Sequence, residues 1–229
     1  PPKWEADRLY GRSQGKPLRA RPARLMADLL PQLTVSAETV AEVVAAHKGE
    51  VWFEVGFGGG EHLAWQAVQS PDALVIGAEP FLNGVAKLLG QIEDQSLTNV
   101  RVCHGDAKPI LAALPDRCLS KLFVLHPDPW PKVRHHKRRM ISQPFLTHAA
   151  RLLHPGGELR VSSDIPDYVR WTLLHIHLHN RQSHDFEWQA KTASDWRDRP
   201  ADWPQTRYDA KGVKEGRPDT YLRFLRTGS

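Results

Sequence analysis

Five strand-like runs, Val51–Val55, Ala73–Ala78, Val100–Cys103, Lys121–His126 and Glu158–Ser162, recur along the chain, separated by segments with helical spacing. This alternation narrows the possible folds more than any other feature. Short continuous apolar runs fit strands buried on both faces, and strand–helix–strand repeats require parallel pairing through right-handed crossovers. Two later runs, Phe186–Lys191 and Tyr221–Leu225, read as a terminal antiparallel pair. The spacing therefore predicts an α/β fold with a mostly parallel seven-stranded sheet, helices on both faces and an antiparallel C-terminal strand. Before the first strand, Ser36 and Glu38 open an amphipathic helix through Val40, Val43, Val44 and His47 that stops near Gly49. Residues 1–22, rich in Pro, Gly, Arg and Lys, read as a flexible basic arm. No internal repeat or linker divides residues 23–229, which are expected to form a single domain.

Composition sets outer bounds. A chain of 229 residues can bury a sizeable core. Lys and Arg exceed Asp and Glu by 31 to 26, so local clustering of cations says more about partners than the bulk charge, whose reach is about 10 Å at ordinary salt. Cys103 and Cys118 alone cannot build a disulfide framework or a cysteine-based zinc site. A reducing cytoplasm is expected, because no apolar run approaches the roughly 20 residues of a membrane span and no signal-peptide core is found.

The ends of the predicted strands carry the chemistry. Glu54-Val55-Gly56-Phe57-Gly58-Gly59-Gly60-Glu61-His62 closes the first strand and opens a helix, with glycines that let a ligand approach the backbone. A dinucleotide fingerprint needs glycine where Glu61 stands. A phosphate-free ligand with a sulfonium cation, such as S-adenosylmethionine, suits the acid at Glu54 better. Glu79 ends the second strand about twenty residues beyond the glycines, where a carboxylate accepts ribose hydroxyls. Gly105-Asp106-Ala107 ends the third strand and offers an acid and a small neighbour to an adenine ring, and Asp128 follows the fourth. Acids at four successive strand ends predict one ligand site along one sheet edge.

Beyond the fourth strand, Asp128-Pro129-Trp130-Pro131-Lys132 runs into Arg134-His135-His136-Lys137-Arg138-Arg139. A solvated charged face is the plain reading of such a run, yet its position beside Asp128 points to contact with RNA phosphates. Later, Trp203 to Gly212 reads as a shaped polar loop. His175 and His179 share a helical face without a third ligand, so no metal is expected. Trp52 and Trp171 read as core, and Trp130 as a buttress for the acidic turn.

These residues resemble the bacterial tRNA (guanine-N7)-methyltransferase (TrmB) family over about residues 20–226, through the Asp128–Lys132 and Arg134–Arg139 motifs, the glycine turn with Glu54, and Thr206-Arg207-Tyr208-Asp209 with Gly212. The resemblance implies a class I S-adenosylmethionine-dependent, Rossmann-like methyltransferase fold. It further implies S-adenosylmethionine as donor, S-adenosylhomocysteine as product and guanine 46 of the tRNA variable loop as acceptor. Carried over by motif, Glu54, Gly56, Gly58, Glu79, Asp106 and Asp128 bind the cofactor, with Asp128 also catalytic. Lys132, Asp164, Thr206, Arg207, Tyr208 and Asp209 meet the substrate, and Arg134, His135, His136, Lys137, Arg138 and Arg139 meet RNA. The family usually has Glu where Asp209 stands. The expected partner is tRNA, the expected state monomer or homodimer. Three competing functions remain: a noncatalytic RNA-binding protein with a methyltransferase fold, a methyltransferase acting on another RNA, and a nicotinamide-dependent oxidoreductase.

Overall fold

Each strand overlaps one of the strand-like runs, and the chain between them coils largely into helices. The computed structural model describes residues 13–205 and 216–228. Their contacts divide into two compact units, Arg8–Pro115 and a second from Asp116 onward.

In the first unit, α1 (Ala20–Asp28), α2 (Leu30–Leu33) and α3 (Val40–Ala46) precede β1 (Val51–Val55), α4 (Glu61–Gln69), β2 (Leu74–Ala78), α5 (Leu82–Gln95), β3 (Val100–Cys103) and α6 (Ala107–Ala113). β2 pairs in parallel with β1 and with β3, setting Ile76 between Phe53 and Arg101. Every residue of β1 and β2 is buried, as parallel strands covered on both faces must be. Gly77 permits the covering: a Cβ there would lie 2.3 Å from Leu63 of α4 and 2.6 Å from Phe57. The Asn99 side-chain amide donates to the carbonyls of Ala67, Ser70 and Ala73, closing the C-terminal end of α4 onto the chain that enters β2 and β3.

The second unit runs β4 (Leu119–Leu125), a short 3₁₀ helix (Val133–Arg138), α7 (Gln143–Leu152), β5 (Leu153–Ser163), α8 (Pro166–Ser183), β6 (Phe186–Trp188), α9 (Ser194–Arg197) and β7 (Thr220–Arg226). β4 and β5 are parallel, whereas β7 is antiparallel to both β5 and β6. Arg160 of β5 is 2% exposed and survives burial by pairing with Glu158 at 2.6 Å and Asp202 at 2.7 Å, beneath the Phe123 and Trp203 rings. Among the described residues, no helix is long and apolar enough to cross a membrane.

Three details differ from the sequence reading. α3 starts at Val40, because Ser36 spends its side chain and carbonyl on a turn through Glu38 and Thr39 before the helix begins. β5 extends back to Leu153 through Pro155-Gly156-Gly157, where the pairing with β4 shifts register. The basic arm does not reach residue 22. Gly15 donates to Asn83 at 2.7 Å, Ala20 opens α1, and Arg21 and Arg24 pair with Glu93 and Asp94 of α5.

Asn99→Ala should cost about 1–3 kcal/mol, because three backbone carbonyls lose one half-buried donor group. Urea unfolding followed by circular dichroism should show a lower midpoint with an unchanged slope; an unmoved midpoint would show that the clasp is idle.

Candidate active site

Three carboxylates of the first unit leave the same edge of its parallel strands. Glu54 lies in β1, Glu79 follows β2 and Asp106 follows β3, and the turns between them are laced by backbone bonds: Gly56 N–H to Ala78 O at 2.8 Å, Glu79 N–H to Cys103 O at 3.0 Å, and Gly105 N–H to Glu79 O at 3.2 Å. The glycine turn holds Gly56, Gly58 and Gly60 at φ of 68°, 54° and 75°, a left-handed region that residues with a Cβ avoid.

Glu79 fixes that turn. Its Oε2 accepts from Gly58 N–H at 2.7 Å and its Oε1 from Phe81 N–H at 2.8 Å. Asp106 caps α6 by accepting from Lys108 N–H at 3.0 Å. Glu54 is buried and accepts from His62 Nδ1 at 2.7 Å, and His62 Nε2 meets the Gln66 amide at 3.0 Å. This relay along α4 was not foreseen, although His62 one helical turn before Gln66 on an apolar face is its visible signal.

In the second unit, Asp128 stands three residues beyond β4 and Asp164 directly beyond β5. The loop from Leu125 is anchored by His126 N–H to Ser162 O at 3.0 Å. Asp128 is flanked by two non-glycine residues in the left-handed region, His126 at φ 46° and Trp130 at φ 39°. Such residues cost roughly 1–3 kcal/mol each and persist only where their surroundings hold them. Asp128 is exposed and has no hydrogen bond or ion pair among the described residues, and partial desolvation raises its pKa above the ordinary Asp value. Asp164 pairs with Arg217. His126, Asp164 and Asp219 bring donor atoms within 4.8 Å of one another. Neither His126 nor Asp219 was singled out in the sequence, since an isolated His or Asp carries no spacing signal.

The basic run separates into two groups. Lys132, Arg134 and Lys137 are exposed, and His135 and Arg138 pack on Trp130, with Arg138 4.9 Å from the ring centre. Trp130 thus buttresses the turn as expected. His136 meets the edge of Trp171, which is half-buried rather than core. Arg139 departs from the RNA-contact expectation: it is 3% exposed and turned inward. His175 stacks on Trp171 and His179 bonds Asp185 at 2.8 Å, so these two of the three α8 histidines serve different packing roles. Thr206, Arg207, Tyr208 and Asp209 lie outside the described residues. Trp203, 1% exposed, pins the chain just before them against Phe123 and Tyr221.

The glycine turn after β1 and the acids after β2 and β3 lie along one edge of the parallel strands of a class I methyltransferase fold. Two solved structures share the fold: an antibiotic-related methyltransferase at TM-score 0.54 and 14% identity, matched over 85% of this chain and 95% of that one, and an rRNA methylase from Streptococcus thermophilus at TM-score 0.52 and 11% identity, matched over 84% and 94%. Residues 48–222 match the family model described as "Putative methyltransferase". The tRNA (guanine-N(7)-)-methyltransferase of Rhodospirillum rubrum is 48% identical over 97% of this chain and 89% of its own length. That of Erythrobacter litoralis is 47% identical over 96% and 94%. The chain belongs to the tRNA (guanine-N7)-methyltransferase family.

Burial pushes the thiols of Cys103, beside Asp106, and of Cys118 up to about 11. At pH 8 a free thiol is roughly one-quarter ionised, and one with a pKa of 11 about one part in a thousand. Iodoacetamide should therefore alkylate both in the native protein about two orders of magnitude more slowly than free cysteine, as mass spectrometry of timed samples would report.

Proposed function

We propose that this chain transfers a methyl group from S-adenosylmethionine to N7 of guanine 46 in the variable loop of tRNA, as a cytoplasmic enzyme. The observation that carries this reading is Asp128, a carboxylate with no bonded partner among the described residues, on a braced loop that leads into the exposed cations Lys132, Arg134 and Lys137. The names of the relatives supply the substrate.

The first unit fits the donor. A Cβ built on Gly56 meets nothing within 4 Å, so the turn has open space beside it. Glu79 would accept the ribose hydroxyls, Asp106 would accept from the adenine amino group, and Gly56 and Gly58 would present backbone. Glu54 spends Oε2 on His62 and keeps Oε1 for the cationic end of the ligand. When bound, S-adenosylmethionine supplies an electrophilic methyl on a sulfonium and leaves as S-adenosylhomocysteine.

Guanine N7 carries an in-plane lone pair and no proton. No base is needed for bond formation, so the side chains contribute alignment, which can supply on the order of 7–11 kcal/mol. As positive charge reaches the purine, Asp128 or Asp164 would accept from the guanine N1–H or amino group and stabilise the developing cation. Lys132 and the residues Thr206, Arg207, Tyr208 and Asp209 would hold the substrate. Arg134 and Lys137 would meet phosphates and set register without reading bases.

Unmodified tRNA incubated with methyl-labelled donor should gain one N7-methylguanine, mapped to position 46 by cleavage at the modified base. Asp128→Asn should lower kcat about 10²- to 10³-fold; full turnover would end the charge role. Arg134→Ala should reduce the slope of log Kd for tRNA against log salt by about one. A salt-insensitive parent enzyme would overturn the phosphate contacts altogether.

A further inference from the structure

The loop bearing Asp128 is energetically uphill, and one buried cation holds it. Arg139 Nε donates to the Pro129 carbonyl at 2.8 Å, and its Nη2 donates to Asp167 at 2.6 Å and lies 3.5 Å from the Trp130 carbonyl. The guanidinium stands 4.8 Å from the centre of the Trp171 ring and 5.5 Å from that of Tyr168. Its side chain is 1% exposed, whereas that of Asp167 is 54% exposed. Asp167 and Tyr168 lie in the first turn of α8, just after Asp164.

We propose that Arg139 is a positioning residue, which fixes the Asp128 loop by tying the Pro129 carbonyl to the first turn of α8 and does not meet RNA phosphate. The inference rests on the role given to Asp128 above. Three facts carry it. The two residues after Asp128 are those whose carbonyls Arg139 gathers, and the second of them, Trp130, is left-handed and has no Cβ-free backbone to relax it. Reaching a phosphate would strip Arg139 from the half-buried Pro129 carbonyl and from Asp167, and would draw a buried guanidinium off two aromatic rings. Finally, only a planar fork can address a carbonyl, a carboxylate and two aromatic faces together, so lysine cannot substitute.

The test uses the full chain with unmodified tRNA and S-adenosylmethionine. Arg139→Lys should lower kcat at saturating tRNA by on the order of tenfold to a hundredfold, with the salt slope of tRNA binding as in the parent. Because Arg139 acts through Asp128, adding R139K to D128N should lower kcat no further. Asp167→Asn, which breaks the same tie from the exposed side, should reproduce the kcat loss in part and carries both readouts if R139K fails to fold. A salt slope reduced by about one with kcat retained would make Arg139 a phosphate contact and overturn the proposal. So would a double variant that loses the full R139K factor again. If D128N itself keeps full kcat, the role of Asp128 fails; if D128N is impaired while R139K and D167N are not, this inference alone fails.

Discussion

A parallel strand buried on both faces has nowhere to place polar side chains except at its ends, and this constraint organises the chemistry of the first unit. β1 and β2 expose nothing along their length. Polarity gathers where they finish, at Glu54, Glu79 and Asp106. The backbone there behaves likewise: turn amides that the sheet cannot satisfy bond neighbouring turns or the Glu79 carboxylate. The acids therefore belong to the framework as much as to a ligand.

The second unit meets the same requirement with a different device. It carries cations inward and neutralises them locally. Arg160 survives burial through Glu158 and Asp202, and Arg139 through Asp167 and two carbonyls. Both guanidiniums lie against aromatic rings, whose faces favour a weakly hydrated cation. A buried arginine of this kind joins segments that hydrophobic contact would leave free to slide. Trp203 over Phe123 and Arg160 anchors one loop, and Trp171 over Arg139 anchors another.

How much of this was legible in the sequence follows from the same physics. β1 and β3 were readable to the residue, because β-branched and apolar side chains dominate both. Glu79 was placed by its distance from the glycines and Asp106 by the end of the third run. Arg139 was not, since six basic residues in a row look alike until Tyr168 and Trp171 arrive from a helix thirty residues onward. β5 was read short because Pro155-Gly156-Gly157 imitates a loop, although its register shift accommodates them. The Glu54–His62 pair joins two elements whose meeting only the folded turn decides.

The bond from Gly58 N–H to Glu79 has an entropic corollary. A turn clamped by its own carboxylate has little chain entropy left to surrender, so under the proposed reading a donor docking there would meet a shape already formed.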